Sequence, residues 1–290
     1  HACGHDGHTA TLFAAAWWLK RHENELPGPV SLLFQPAEEG GHGAQRMIED
    51  GALQGIDCIF GWHNWPAIPF GQAVCPDGPV MAANGTFEIE ITGEGGHASQ
   101  PDNCRDPVLA AAAITTALQQ IVARRLPPQQ AAVISVTSIN APSAATVIPD
   151  TARIGGSFRI ADDGLRDRIG ALITEISEST ARAHNVEAVV SMHPRYGVTE
   201  NHPEAAAQMR SSLKNILGEQ WHSTATPVPI MASEDFSYYL REIPGAYALV
   251  GADDGQGHNL PCHSPRYDFN DALIPLVARL YLELACAPAP

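Results

Sequence analysis

Apolar residues along the first part of the chain recur alternately with helical and with strand spacing. Residues 8–22 are rich in Ala and Leu, with apolar positions at helical spacing, and predict a helix. Two short apolar runs, 29–35 and 56–62, predict buried strands, and a short helix closed by Gly51 is expected at 43–50. This alternation indicates an α/β fold with a parallel sheet.

The pattern changes near residue 82. Residues 86–92 alternate apolar and polar positions, as a half-exposed strand does. Residues 106–124 predict a helix with Asp106 as its cap and Pro107 at its first position. The following segments favour strands at 131–139, 152–160 and 187–192 and a helix at 163–183. The resulting β-α-β-β-α-β order is the split, or ferredoxin-like, arrangement.

The α/β character returns after residue 195, with helices predicted at 203–217 and 271–286 and a buried strand at 245–251. The ferredoxin-like unit is therefore expected to be inserted into an α/β domain. The predicted boundaries are 1–81 and 195–290 for the α/β domain and 82–194 for the insertion.

Composition limits the class of protein. The chain has 290 residues, of which 44% are hydrophobic, so it is expected to fold around a sizeable core. Its net charge of −15 disfavours nucleic acid and anionic membranes as partners, and no apolar run reaches the roughly 18 residues of a membrane span. Six thinly spread cysteines form no disulfide framework, which predicts a reducing, cytoplasmic location.

Candidate metal ligands occur at several separate points of the chain. Cys3 and His5 precede the first helix, and Glu38 and Glu39 follow the run at 29–35. His63 ends the strand predicted at 56–62, and His263 comes shortly after the strand at 245–251. Each of them alone is also explained as a structural histidine, an accidental cluster or a solvated acidic turn.

Taken together, the N, S and O donors suit two borderline divalent cations that share a bridging ligand. The five expected ligands are Cys3, His5, Glu39, His63 and His263. Two such ions can hold a hydroxide and polarise a carbonyl group. Glu38 is left over as a general base that takes a proton from the water and returns it to a leaving amine.

Eight motifs occur in an order that resembles the M20 metallopeptidase superfamily, and its amidohydrolase branch in particular. They are HACGHDGHTA, PAEEGG, HNWP, GEGGHASQP, VIPD, GGSFR, SEDF and HSPRYDF. The branch includes hippurate hydrolases, N-acyl-amino-acid deacylases and auxin-conjugate hydrolases. The resemblance implies a dinuclear metal amidohydrolase with an inserted dimerisation domain, and it covers essentially the whole chain.

The resemblance also implies roles for individual residues. It gives the same five metal ligands and Glu38 as the general base. His97 resembles the family histidine that reaches the active site of the neighbouring subunit and stabilises an oxyanion. Arg159 resembles the arginine that binds the substrate carboxylate, although a surface strand arginine is the simpler explanation. The two ions are Zn, Mn, Co or Ni.

Three departures from the family pattern bear on these expectations. Thr146 stands where the family often has Asn, and Asp102 stands where it often has His, so substrate preference is expected to differ. Family members also carry a segment before the first metal motif. The sequence therefore predicts a fragment that lacks the N-terminal part of the catalytic domain.

Several simpler readings remain open at this point. Cys3 as the nucleophile of a metal-free hydrolase leaves Glu39, His63 and His263 unexplained. A non-catalytic or truncated family member that acts as a binding or regulatory dimer is the main alternative to hydrolysis of hippurate-like, N-acetyl-amino or N-acetyl-diamino acids.

Other residues in or near the motifs have structural explanations. Phe13, Trp17 and Trp18 are expected in the core. Glu234 and Asp235 are candidates for capping a helix that begins near Phe236. Cys262 is expected to be a small buried hydrophobic residue, and His42 is expected either behind the metal ligands or exposed in its turn.

Overall fold

The computed structural model describes residues 2–289 and contains seven α-helices and eleven strands within that range. The helices are α1 (His5–Arg21), α2 (Gly43–Glu49), α3 (Pro107–Leu118), α4 (Arg166–Ala183), α5 (Pro203–Leu217), α6 (Ser237–Glu242) and α7 (Leu273–Leu284). The strands are β1 (Ile59–Pro69), β2 (Ala73–Val74), β3 (Gly78–Met81), β4 (Ala83–Thr92), β5 (Gly96–His97), β6 (Ala132–Asn140), β7 (Val147–Ile148), β8 (Thr151–Ile160), β9 (Glu187–Pro194), β10 (Thr199–Asn201) and β11 (Gly245–Asp253).

The chain divides into two compact units. The first unit comprises His1–Val80, Thr199–Ile230 and Asp235–Pro290, and the second comprises Met81–Val198 and Met231–Glu234. The second unit therefore interrupts the first along the sequence. None of the described helices is long and apolar enough to cross a membrane.

The first unit is built on a three-stranded sheet in the order β1-β11-β2, in which β1 and β11 run parallel. The apolar sequence of β11 is buried along almost its whole length, as expected for a central strand covered on both faces. Helices α5 and α7 contribute Met209, Leu273 and Leu280 to a core that includes Trp62 and Val250 from the sheet. This arrangement confirms an α/β fold with a parallel strand pair.

The second unit contains β4, α3, β6, β8, α4 and β9 in that order along the chain. Its sheet has the order β6-β8-β4-β9, and all its neighbouring strands are antiparallel. Phe87, Ile89 and Ile91 of β4 are at most 1% exposed, whereas the intervening Glu88 and Glu90 are exposed. The alternation predicted at 86–92 thus buries one face of the sheet beneath α3 and α4.

Helix α3 begins as the sequence predicts. The Asp106 carboxylate accepts hydrogen bonds from the backbone N–H groups of Val108 (2.8 Å) and Leu109 (3.2 Å), and Pro107 occupies the first turn. The α-helix ends at Leu118, earlier than expected, and a wider turn follows at Ile121–Arg125.

The strand predicted at 29–35 is absent from the described structure. These residues form no ladder with another strand, and Val30 and Phe34 are 40% and 46% exposed. An apolar composition favours an extended chain, but a strand also requires a neighbour with free backbone groups in register.

The aromatic residues of α1 do not all lie in the core. The buried face of α1 consists of Gly7, Thr11, Ala15 and Leu19, spaced four residues apart. Phe13 and Trp17 lie off this line and are 65% and 53% exposed, and the Arg21 guanidinium stacks 3.3 Å from the centre of the Trp17 ring. The expectation of core packing was therefore wrong for both.

Candidate metal centre

A sharp turn at Gly4 precedes α1 and carries the first two expected ligands. Gly4 has φ 84°, and a Cβ atom there would lie 2.5 Å from the Tyr267 hydroxyl and 2.7 Å from Asn64 Oδ1. Only glycine accepts both the left-handed backbone and this close approach. The turn places Cys3 and His5 on either side of Gly4, next to the β1 segment that carries His63.

The two glutamates lie on an irregular loop between residue 35 and α2. Ala37 and His42 have positive φ values of 59° and 54°, and the Gly41 N–H donates to the Ala37 carbonyl at 2.9 Å. Because the loop is not regular, Glu38 and Glu39 can point to different partners. Glu38 Oε2 lies 3.9 Å from His5 Nε2, and Glu39 Oε1 lies 3.0 Å from His263 Nε2.

His63 lies inside β1 and does not end it. The strand continues past Trp65 through a register irregularity and still pairs Pro69 with Asp253, so the expectation that it ends at His63 was wrong. The His63 side chain is buried, and its Nδ1–H donates to the Asn64 carbonyl at 2.6 Å. The proton is then on Nδ1, and the Nε2 lone pair accepts a hydrogen bond from the Cys3 thiol at 3.4 Å.

His263 lies in the segment between β11 and α7, in a left-handed conformation with φ 68°. Its backbone N–H donates to the carbonyl of Ala2 at 2.6 Å. This bond joins the segment that carries His263 to the residues that precede α1.

All five expected ligands converge in the first unit. Together with Glu38, their side chains form three sets, and within each set the possible ligand atoms lie within 4.8 Å of one another. The first set is Cys3, His5 and His63, the second is Cys3, Glu39 and His263, and the third is His5, Glu38 and Glu39. Cys3 belongs to the first two sets, which is the arrangement that two ions sharing a ligand require. The mixture of thiol, imidazole and carboxylate donors therefore fits borderline divalent cations.

Burial keeps the imidazoles in the form that binds metals. It lowers the pKa of His63 to about 4 and lowers the pKa of His5, so both rings are neutral at pH 7. A hydrogen bond shared with Cys262, together with burial, raises the pKa of the Cys3 thiol. A metal ion that binds Cys3 must therefore displace its proton.

Another histidine of the first motif, His8, was not assigned a role from the sequence. Its Nε2 lies 2.7 Å from Asn64 Oδ1, and its ring packs edge-on against His63 with 4.7 Å between ring centres. The Asn64 amide in turn donates to the Tyr267 hydroxyl at 2.7 Å. Burial lowers the pKa of His8 well below its usual value. Its ring is therefore uncharged where it packs against His63. Its helical spacing of three from His5 was the available signal.

His97 and Arg159, the two other expected site residues, lie in the second unit. His97 is exposed on β5, opposite Val147 of β7, and its Nδ1 accepts a hydrogen bond from the Ser99 N–H at 3.1 Å. In a neutral ring the proton is then on Nε2, which is free to donate.

Arg159 on β8 is half-buried and donates to the Ser233 hydroxyl. Burial and the nearby Arg195 lower its pKa, but a guanidinium keeps its charge.

Asp235 has a structural role that differs from the expected helix cap. Helix α6 begins at Ser237 without a side-chain cap. The fully buried Asp235 carboxylate instead accepts hydrogen bonds from Gln35 Nε2 at 2.6 Å and from the Ala44 N–H at 3.1 Å. These partners lie on either side of the loop that carries Glu38 and Glu39, so Asp235 ties its two ends together.

His42 belongs to the same loop and is held from α6. Its Nδ1 lies 2.8 Å from the Tyr238 hydroxyl, and the residue is only partly exposed. Together with Asp235, this contact fixes a segment that has no regular secondary structure.

The comparison with known families agrees with this arrangement. The sequence model that describes peptidase family M20/M25/M40 matches residues 1–287 of this chain. The chain belongs to this family. The resemblance inferred from the eight motifs is thereby confirmed.

Individual M20 relatives are similar over nearly the whole chain. The IAA-amino acid hydrolase ILR1-like 2 of Arabidopsis thaliana is 40% identical over 98% of this chain and 65% of its own length. The N-acetyl-L-cysteine deacetylase of Bacillus subtilis (strain 168) is 39% identical over 94% of this chain and 64% of its own length. The chain thus spans just under two thirds of these two relatives.

A solved structure has the same fold. The YXEP protein of Bacillus subtilis, a dinuclear metal binding peptidase from the M20 family, is 30% identical with a TM-score of 0.80. The match covers 98% of this chain and 72% of that one.

Removing the Asp235 carboxylate is expected to make the loop that carries Glu38 and Glu39 more mobile in this M20 chain. Asp235→Ala leaves the Gln35 amide and the Ala44 N–H without that acceptor inside the protein, which costs about 1–3 kcal/mol for a buried group. Hydrogen exchange at the Ala44 amide is expected to accelerate, and the unfolding midpoint in urea to fall. Asp57→Ala, at an exposed aspartate of the same unit, is the control. Equal exchange in both variants would contradict the assigned role.

Proposed function

We propose that this chain carries the catalytic centre of a metal-dependent amidohydrolase that cleaves the amide bond of N-acyl amino acids. The observation that carries the proposal is the pair of donor sets that share Cys3, with Glu38 beside Glu39 at their border. Family membership supports it, because two M20 relatives bear the names of an IAA-amino acid hydrolase and an N-acetyl-L-cysteine deacetylase. Both names describe an acyl group joined to an amino acid.

Two divalent ions would be held by Cys3, His5, Glu39, His63 and His263, with Cys3 common to both positions. When bound, such ions would lower the pKa of water and polarise the substrate carbonyl. The ligand mixture accepts Zn, Mn, Co or Ni.

Glu38 is the proposed general base. Its carboxylate lies beside His5 and Glu39 but outside the two sets that share Cys3. In this position it can take a proton from the attacking water and later deliver it to the amine nitrogen as the C–N bond breaks. The fixed loop matters here because a general base acts only within hydrogen-bond reach of its proton.

The second unit is proposed to recognise the substrate and to form a homodimer. Arg159 would bind the substrate carboxylate through its planar guanidinium. His97 would donate its Nε2 proton to the oxyanion in the active site of the neighbouring subunit. Residues 82–194 thus form the proposed dimerisation domain inserted between the catalytic segments 1–81 and 195–290.

The proposed substrates are hippurate-like, N-acetyl-amino or N-acetyl-diamino acids, and a cytoplasmic location is proposed with them. The described cysteines are all free thiols, which supports a reducing compartment. A non-catalytic binding or regulatory dimer is the competing proposal. It predicts metal binding without turnover of any N-acyl amino acid.

Replacing the base is expected to separate catalysis from metal binding. Glu38→Gln should lower kcat by about 10²–10⁴-fold on N-benzoyl and N-acetyl amino acids, because the amide cannot accept a proton. Amine release is measured with added Mn²⁺ or Zn²⁺ and with chelator in parallel. Metal content should stay unchanged, and Glu219→Gln, at a mostly exposed glutamate, should behave as the unmodified chain.

Near-normal turnover in Glu38→Gln would refute its role. Full activity after chelation would refute the metal centre, and metal binding without any turnover would favour the regulatory dimer.

Sharing of His97 between subunits has a separate test. His97→Ala and Glu38→Gln chains, each inactive alone, are mixed, dissociated and reassembled. Random pairing should restore about a quarter of the normal activity, since half of the two-fold dimers then contain one complete site of two. The absence of any recovery, with dimers confirmed by light scattering, would show that His97 does not act in the neighbouring subunit.

A further inference from the structure

The proposed mechanism uses Cys3 but leaves its neighbour Cys262 without a task. The His263 N–H donates to the Ala2 carbonyl at 2.6 Å. This bond brings the two chain segments together, and the adjacent residues Cys3 and Cys262 therefore lie near each other.

The thiol groups confirm this placement. The side chains of Cys3 and Cys262 lie close enough for their thiols to interact. Both residues are half-buried free cysteines. The expectation that Cys262 is merely a small buried hydrophobic residue was therefore wrong.

We infer that Cys3 and Cys262 form a reversible disulfide when the metal-free chain meets a peroxide. A disulfide requires two side chains that point toward each other on closely spaced backbone segments. The contact between the two thiols and the Ala2–His263 hydrogen bond supply both conditions.

The chemistry of closure is balanced with hydrogen peroxide as the oxidant. The Cys262 sulfur attacks one peroxide oxygen, the O–O bond breaks, and a sulfenic acid and one water form. The Cys3 sulfur then attacks the sulfenic sulfur, the S–O bond breaks, and a second water leaves. Two thiols are oxidised and one peroxide is reduced.

The consequence for the metal centre rests on the proposed function. Cys3 belongs to both donor sets, so its sulfur cannot be at once a thiolate ligand and part of a disulfide. Oxidation would remove the ligand common to both ions, and bound metal would protect Cys3 from oxidation.

The test maps the thiols of the intact chain. Metal-free protein is treated with hydrogen peroxide, the remaining thiols are alkylated, and the chain is digested with trypsin without reduction. Cys3 lies in the tryptic peptide 1–20 and Cys262 in 242–266, each as its only cysteine. Mass spectrometry should find these peptides joined with the loss of two hydrogens, and dithiothreitol should separate them. Oxygenated Cys3 or Cys262 without the cross-link would overturn the proposal.

Two variants and one addition complete the test. Cys262→Ser, or Cys262→Ala if the serine variant folds poorly, should leave Cys3 open to alkylation. Cys286→Ser, at an exposed cysteine, should leave the cross-link unchanged. Zn²⁺ added before the peroxide should slow cross-linking by about tenfold or more, because a Cys3 sulfur bound to zinc cannot attack the sulfenic acid of Cys262. An unchanged rate with Zn²⁺ would overturn Cys3 as a ligand while the disulfide itself stands.

Discussion

The parallel pairing of β1 with β11 is the constraint on which the candidate centre depends. It sets His63 opposite Leu249 in the interior of the sheet, and it directs the chain after β11 toward the carboxyl side of β1. That segment carries His263, whose backbone bond to Ala2 brings the start of α1 to the same place. Donors that are far apart in sequence thus meet because two buried strands run in one direction, as in other open α/β sheets.

Around this pairing, irregular segments are held by specific polar contacts. Gly4 permits the tight turn between Cys3 and His5. The buried Asp235 carboxylate holds together the two ends of the loop that carries Glu38 and Glu39. The Asp235 carboxylate has two donors inside the protein, which offsets the cost of removing it from water. Burial also keeps His5 and His63 neutral. The same packing therefore both positions the donors and keeps the imidazoles ready to bind metal.

The sequence predicted those features that depend on local pattern. The alternation at 86–92, the cap at Asp106 and the donor types at both ends of the chain are each visible within a few residues. Features that depend on distant partners were not predictable. Residues 29–35 have strand composition but no strand partner, Asp235 bonds a side chain 200 positions away, and Cys262 meets Cys3 only through the fold. The orientation of Phe13 and Trp17 likewise follows from the face of α1 that packs inward.

One centre for two ions is proposed to consist of Cys3, His5, Glu39, His63 and His263. Native mass spectrometry of the chain, stripped of metal and then titrated with Zn²⁺, tests it most directly. Two ions per chain are expected, with the loss of at least one in Cys3→Ser, since this residue serves both positions. Saturation at one ion or none, or two ions retained in Cys3→Ser, would contradict it.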